Sequence, residues 1–128
     1  SRPQLLDHTL QGMLKGFVDL LCEHEGRFYV LDYKSNRLGT THADYNEDAM
    51  RDAVLHHRYD LQYALYTLAL HRLLSARLGE AYDYETHVGG AIYLFLRGLD
   101  AEGHGVFVRR LPYDTVIALE HCLGGSPA

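Results

Sequence analysis

The sequence predicts an α/β fold, a mixed sheet carrying helices, and three observations predict it. Two strand-like apolar runs meet at Glu25-Gly26, a helical repeat of leucines runs through residues 59–78, and residues 89–98 read GGAIYLFLRG. Alternation, helical spacing and an unbroken apolar run are the marks of a half-buried strand, a helix and a strand buried on both faces.

Taken in order, residues 5–10 suit a short first strand. Residues 14–22 and 27–34 suit two more, joined through Glu25-Gly26 as a tight hairpin in which the glycine supplies the positive φ. A polar loop follows over 35–43. Thr41, with Asp44 three positions on, reads as a capping box opening a helix over about 43–57. The stronger helix spans 59–78, where Leu61, Leu65, Leu68 and Arg72 keep helical spacing and Gly79 ends it. After the apolar strand come a strand at 105–110 and a closing helix at 113–122. The expected architecture is a sheet covered on both sides.

Composition sets the bounds. A chain of 128 residues is one domain's worth, and 47% apolar with 23% charged residues is a globular balance. No apolar run reaches membrane-spanning length and no secretory leader is visible, so a cytoplasmic protein without a membrane partner is expected. Cys22 and Cys122, a hundred residues apart, form no disulfide framework and read as buried or free thiols in a reducing compartment. A net charge of −5 argues against holding nucleic acid by bulk electrostatics alone. Ser1-Arg2-Pro3 and Gly124-Gly125-Ser126-Pro127 look like cut ends, so one domain over 1–128, a fragment of a longer polypeptide, is expected.

The hairpin carries an oddity. Asp19 sits among Phe17, Val18, Leu20 and Leu21, and Asp32 and Lys34 follow Val30 and Leu31. A two-residue turn at Glu25-Gly26 makes paired positions sum to 51, so His24 faces Arg27 and Asp19 faces Asp32, with Cβ atoms about 5 Å apart. Lys34 shares that face. Two carboxylates so placed repel, and burial is costly unless they bind a metal; hard oxygen ligands on rigid strands suit Mg²⁺. A surface ion pair of Lys34 with one aspartate is the plainer alternative. On the second helix Gln62 and Tyr66, four apart, share a face, as an ordinary polar residue beside a half-buried tyrosine would.

Together the segments LQGMLKGFVDLL, LDYKSN, HRYDLQYALYTLALHR and GGAIYLFLRG resemble the PD-(D/E)xK nuclease superfamily. More narrowly they resemble its RecB-type nuclease domains, over nearly the whole chain from about residue 9. The resemblance implies a restriction-endonuclease-like core, a mixed central sheet flanked by helices. It implies a Mg²⁺-dependent exodeoxyribonuclease of exonuclease V type, with Mn²⁺ or Ca²⁺ able to substitute for binding. Its ligands would be Asp19, Asp32 and the carbonyl of Tyr33, and its catalytic set Asp19, Asp32, Lys34, Gln62 and Tyr66. DNA and the other subunits of a RecBCD-type helicase–nuclease complex are the implied partners, in double-strand-end processing and recombinational repair. The family's further ligand, a histidine or glutamate on an upstream helix, has no counterpart before Asp19; His8 is not equated with it. A fragment without that helix would be poorly active. A nuclease fold kept for DNA guidance or docking is the alternative.

Other chemistry finds less support. His56-His57 are adjacent and no His-Glu-x-x-His occurs, so nine histidines do not make a zinc site. An iron–sulfur cluster needs four cysteines. Gly89-Gly90 precedes a strand and opens no helix, so it is no phosphate loop.

Overall fold

The computed structural model describes residues 21–123. Strands β1 (Leu21–His24), β2 (Arg27–Lys34), β3 (Val88–Phe95) and β4 (Val106–Arg109) form a sheet in the order β1-β2-β3-β4. β2 and β3 run parallel, and both outer pairs are antiparallel. The helices are α1 (Glu47–His56), α2 (Tyr59–Leu78), a single turn α3 (Tyr84–His87) and α4 (Tyr113–Cys122). A parallel pair cannot be closed by a hairpin, so the chain crosses from β2 to β3 through the first three helices. The expected strand at 5–10 and the expected strand residues before Leu21 lie outside the described residues, as do Asp19 and His8.

The hairpin forms in the register its turn dictates. Glu25 (φ 52°) and Gly26 (φ 81°) both take left-handed backbone, the tight turn whose twist matches the strands. The described ladder pairs His24 with Arg27 and Leu21 with Val30, the register in which positions sum to 51.

Helix α2 has the expected bounds and ends on Gly79 (φ 56°). The first helix starts later than expected. Asp44 does accept the Thr41 N–H at 2.9 Å, but the turn it closes is a short 3-10 segment, His42–Asp44. Asn46 then caps the true helix by accepting the Ala49 N–H at 3.0 Å, so α1 begins at Glu47, not 43. Two polar residues competed for one helix start, and Asn46, with Glu47 and Asp48 behind it, won. Strand β3 stops at Phe95 and turns through a 3-10 segment, Leu96–Gly98, so the expected strand over 89–98 is shorter at its end. At its start Gly90 (φ 116°) lies where a Cβ would collide with the Arg109 carbonyl, beside the register shift opposite Phe28 and Tyr29.

Two apolar clusters sit on one side of the sheet. Val30 and Val88 pack with Tyr66, Leu70 and Leu74 of α2, Tyr84 of α3 and Val116 of α4. Tyr93, Phe95 and Phe107 pack with Tyr45 and with Met50 and Val54 of α1. All four described helices thus cover the same face. The mixed sheet flanked by helices is as expected, and among the described residues those helices lie on one face. Leu31, Ile92 and Leu94 on the other face are only half-buried, and Tyr33 and Val108 are 50% and 44% exposed. An unbroken apolar run predicted two buried faces for β3, and the structure buries one fully. Cys22 and Cys122 are free and exposed. No helix among the described residues is long and apolar enough to cross a membrane.

Phe95 is fully buried where β3 meets the α1 cluster. Phe95→Ala leaves a cavity that the surrounding rings cannot close, costing about 3–5 kcal/mol. Thermal unfolding should show Tm lower by roughly 10–15 °C; an unchanged Tm would mean that this cluster is not the core.

Candidate active site

β2 is the strand that carries charge into the structure. Its alternation places Val30, Asp32 and Lys34 on the helix-covered face, and pairing with β3 sets Tyr93 beside Asp32. Helix α2 lies over this end of the sheet and brings Gln62 and Tyr66 down one face. The pair Asp32 and Lys34 therefore meets the pair Gln62 and Tyr66, with Gln62 standing 28 positions beyond Lys34.

The lysine is the hub. Lys34 Nζ donates to Gln62 Oε1 at 2.9 Å and lies 3.2 Å from Asp32 Oδ2. The same ammonium stands 3.8 Å from the centre of the Tyr59 ring and 5.3 Å from that of Tyr93. Both charged side chains are nearly nine-tenths buried. Asp32 Oδ2 is within ion-pairing distance of Nζ, yet among the described residues it makes no hydrogen bond, and it is out of solvent. A buried carboxylate oxygen held only by Coulomb attraction is an exception that calls for a cause, since such atoms are ordinarily bonded.

Around this pair sits a ring of phenols. Burial, helped by the charge of Asp32, pushes Tyr66 up to about 12, with the Gln62 side chain bonding to it and pulling the other way. A phenol is already neutral at pH 7, and this shift keeps Tyr66 neutral well into the alkaline range. Burial, again with Asp32 behind it, also holds the Tyr93 phenol far above its ordinary range. Tyr93 Oη donates to the Tyr59 carbonyl at 2.7 Å. Asn36 and Tyr59 Oη exchange hydrogen bonds at 3.2 and 3.3 Å, and Arg97 donates to the Ser35 carbonyl at 2.7 Å. These bonds tie the segment after Lys34 to α2 and to the end of β3.

Local sequence pattern gives neither Tyr59 nor Tyr93 a role. The structure puts Tyr59 and Tyr93 against the lysine. The signal for Tyr59 is faint but real: it lies three residues before Gln62 on the same helix, hence on a neighbouring face. Tyr33, between Asp32 and Lys34, turns its side chain to the opposite, exposed face, so only its backbone can serve the cluster.

Two further features compete for notice. Asp100, Glu102 and His104 lie close enough to chelate an ion. Their bonds are internal, however: Asp100 accepts the Glu102 and His104 N–H groups and pairs with the His104 ring at 2.7 Å, which closes the β3–β4 turn. A shallow hollow lined by Glu85, Arg110, Pro112, Tyr113 and Asp114 shares no residue with the charged cluster. There Arg110 is already bonded to the Val88 and Tyr84 carbonyls and to Glu85.

Comparison with known proteins points the same way. The family model of the PD-(D/E)XK nuclease superfamily matches residues 2–118. Over 119 residues the chain is 56% identical to the RecBCD enzyme subunit RecB of Escherichia coli K12, covering 91% of this chain and 10% of that protein. The RecB subunit of Haemophilus influenzae is 47% identical over 112 residues, 87% of this chain and 9% of its own. That of Mycobacterium tuberculosis H37Rv is 40% identical over 126 residues, 91% of this chain and 11% of its own. The chain spans about a tenth of the length of these curated relatives.

Proposed function

We propose, since this chain belongs to the PD-(D/E)XK nuclease superfamily, that it is a Mg²⁺-dependent deoxyribonuclease module hydrolysing DNA phosphodiester bonds. Its setting would be a helicase–nuclease complex of the kind named for its relatives, working in double-strand-end processing and recombinational repair. One observation carries the reading: a buried carboxylate oxygen of Asp32, without a hydrogen bond, beside a lysine whose ammonium is already oriented.

The residues fit a divalent cation. An unsatisfied hard oxygen on a rigid strand is the donor Mg²⁺ takes, and a backbone carbonyl, here that of Tyr33, suits the same ion. Asp19 lies outside the described residues. The register of the described hairpin supports its assignment as the carboxylate across from Asp32. When bound there, the ion would polarise the scissile phosphate and lower the pKa of a coordinated water.

The protein's own groups would then act as follows. Lys34 would present its ammonium to charge gathering on the phosphate, or orient the attacking water, without having to reorganise. Gln62, which accepts from Lys34, fixes the direction of that ammonium. Tyr66, buried beside Gln62 and Asp32, would help to position the catalytic groups. An acidic module holds DNA poorly by itself, so a motor that delivers the strand explains how a net charge of −5 is tolerated.

The test is cleavage of single-stranded DNA by the full-length protein that carries this chain. Activity should require added Mg²⁺, vanish on chelation and return with Mn²⁺. Cleavage that persists after chelation would overturn the metal assignment. Absence of both cleavage and cation binding would favour a DNA-guiding or docking role.

A further inference from the structure

We infer that Tyr59 is the positioning residue for Lys34, its ring a seat that keeps the ammonium turned toward Asp32. The consequence for rate rests on the nuclease reading above; the geometry does not. A lysine side chain has four rotatable bonds and a strongly hydrated head, so its position is set only by what surrounds it. Here Gln62 Oε1 and Asp32 Oδ2 hold it on two sides, at 2.9 and 3.2 Å. The face of Tyr59 closes a third, with the ring centre 3.8 Å from Nζ. Such a face is electron-rich and attracts a cation most strongly when both are shielded from water.

The seat is itself braced from several directions. The Tyr59 hydroxyl exchanges hydrogen bonds with Asn36, two residues beyond the lysine. Its carbonyl accepts the Tyr93 hydroxyl at 2.7 Å, and the His57 ring stacks on it at 5.3 Å with an 18° tilt. Arg58, just before it, adopts left-handed backbone (φ 58°), a conformation that a side chain of this size rarely takes. That kink lets α2 begin at Tyr59 immediately after α1. Strained backbone of this sort persists where the surroundings over-determine it, and it gathers near functional groups. A tyrosine serving only as filler needs neither the paired bonds to Asn36 nor a cation on its face.

The experiment compares Tyr59→Leu with Tyr59→Phe in the full-length protein. Leucine keeps apolar bulk but has no ring, and phenylalanine keeps the ring but not the bonds to Asn36. Tyr59→Leu should lower kcat on single-stranded DNA roughly 10- to 30-fold with KM within about twofold, and Tyr59→Phe should recover to within about threefold. A second readout needs no activity. In protein isotope-labelled at lysine, the Lys34 side-chain protons next to Nζ should resonate upfield through the ring current, in Tyr59→Phe as well, and lose most of that shift in Tyr59→Leu, where only the more distant Tyr93 ring remains. An unshifted Lys34 signal in the unsubstituted protein, or a shift undiminished in Tyr59→Leu, would overturn the seat. So would full kcat in the leucine variant. If the unsubstituted protein bound no cation and cut nothing, the nuclease reading would fall while the resonance test still judged the seat.

Discussion

Replacing Lys34 by methionine should slow DNA cleavage by about 10²–10³-fold and yet strengthen divalent-cation binding. The two effects share one origin. The ammonium stands 3.2 Å from Asp32 Oδ2, in a place nearly nine-tenths buried. A positive charge there competes with any cation for the same oxygen, so its removal should raise affinity severalfold. On the proposed reading it would also be the fixed charge aimed at where negative charge develops, and losing one such group typically costs two to three powers of ten in rate. Stability should suffer as well. Lys34→Met leaves Asp32 a buried carboxylate without its partner, at about 3 kcal/mol without metal, and Mg²⁺ should restore much of that loss. Isothermal titration with Mn²⁺, unfolding with and without Mg²⁺, and single-turnover cleavage separate these effects. Weaker cation binding with unchanged cleavage would contradict the assignment of Lys34.

How much of this was legible beforehand depends on how far each feature reaches along the chain. The hairpin register was legible because two residues, Glu25 and Gly26, fix it and alternation does the rest. Helix α2 was legible because twenty residues of spacing outweigh any local competitor. The start of α1 was not, since Thr41 and Asn46 carry the same kind of capping signal five residues apart. Tyr59 and Tyr93 escaped for a different reason. Their nearness to Lys34 follows from the parallel pairing of β2 with β3 and from how α2 lies on the sheet, neither of which any local pattern encodes. The half-covered outer face escaped likewise, because an apolar run states that a strand prefers burial but not what buries it. Asp19 lies outside the described residues, and its role stands as a proposal.

Asp32→Asn is expected to abolish cleavage, by about 10³-fold or more, and to weaken Mg²⁺ or Mn²⁺ binding at least about 100-fold, with little change in the metal-free fold. Asparagine keeps the shape of the side chain and removes only its charge. Lys34 then loses an ion pair but still has Gln62 Oε1 at 2.9 Å and the Tyr59 ring at 3.8 Å, so its charge is not stranded. The loss in stability should stay near 1 kcal/mol, well below that of Lys34→Met. The response to cation is diagnostic. Were Asp32 and Lys34 simply a structural ion pair, added cation would stabilise neither the unsubstituted protein nor either variant. If Asp32 is instead a ligand waiting for its ion, Mg²⁺ at a hundred times its dissociation constant should stabilise the unsubstituted protein by about 2.7 kcal/mol and leave Asp32→Asn unaffected. An equal rise in Tm for both proteins would place the cation elsewhere, and the buried oxygen at position 32 would then be only the weak partner of a lysine.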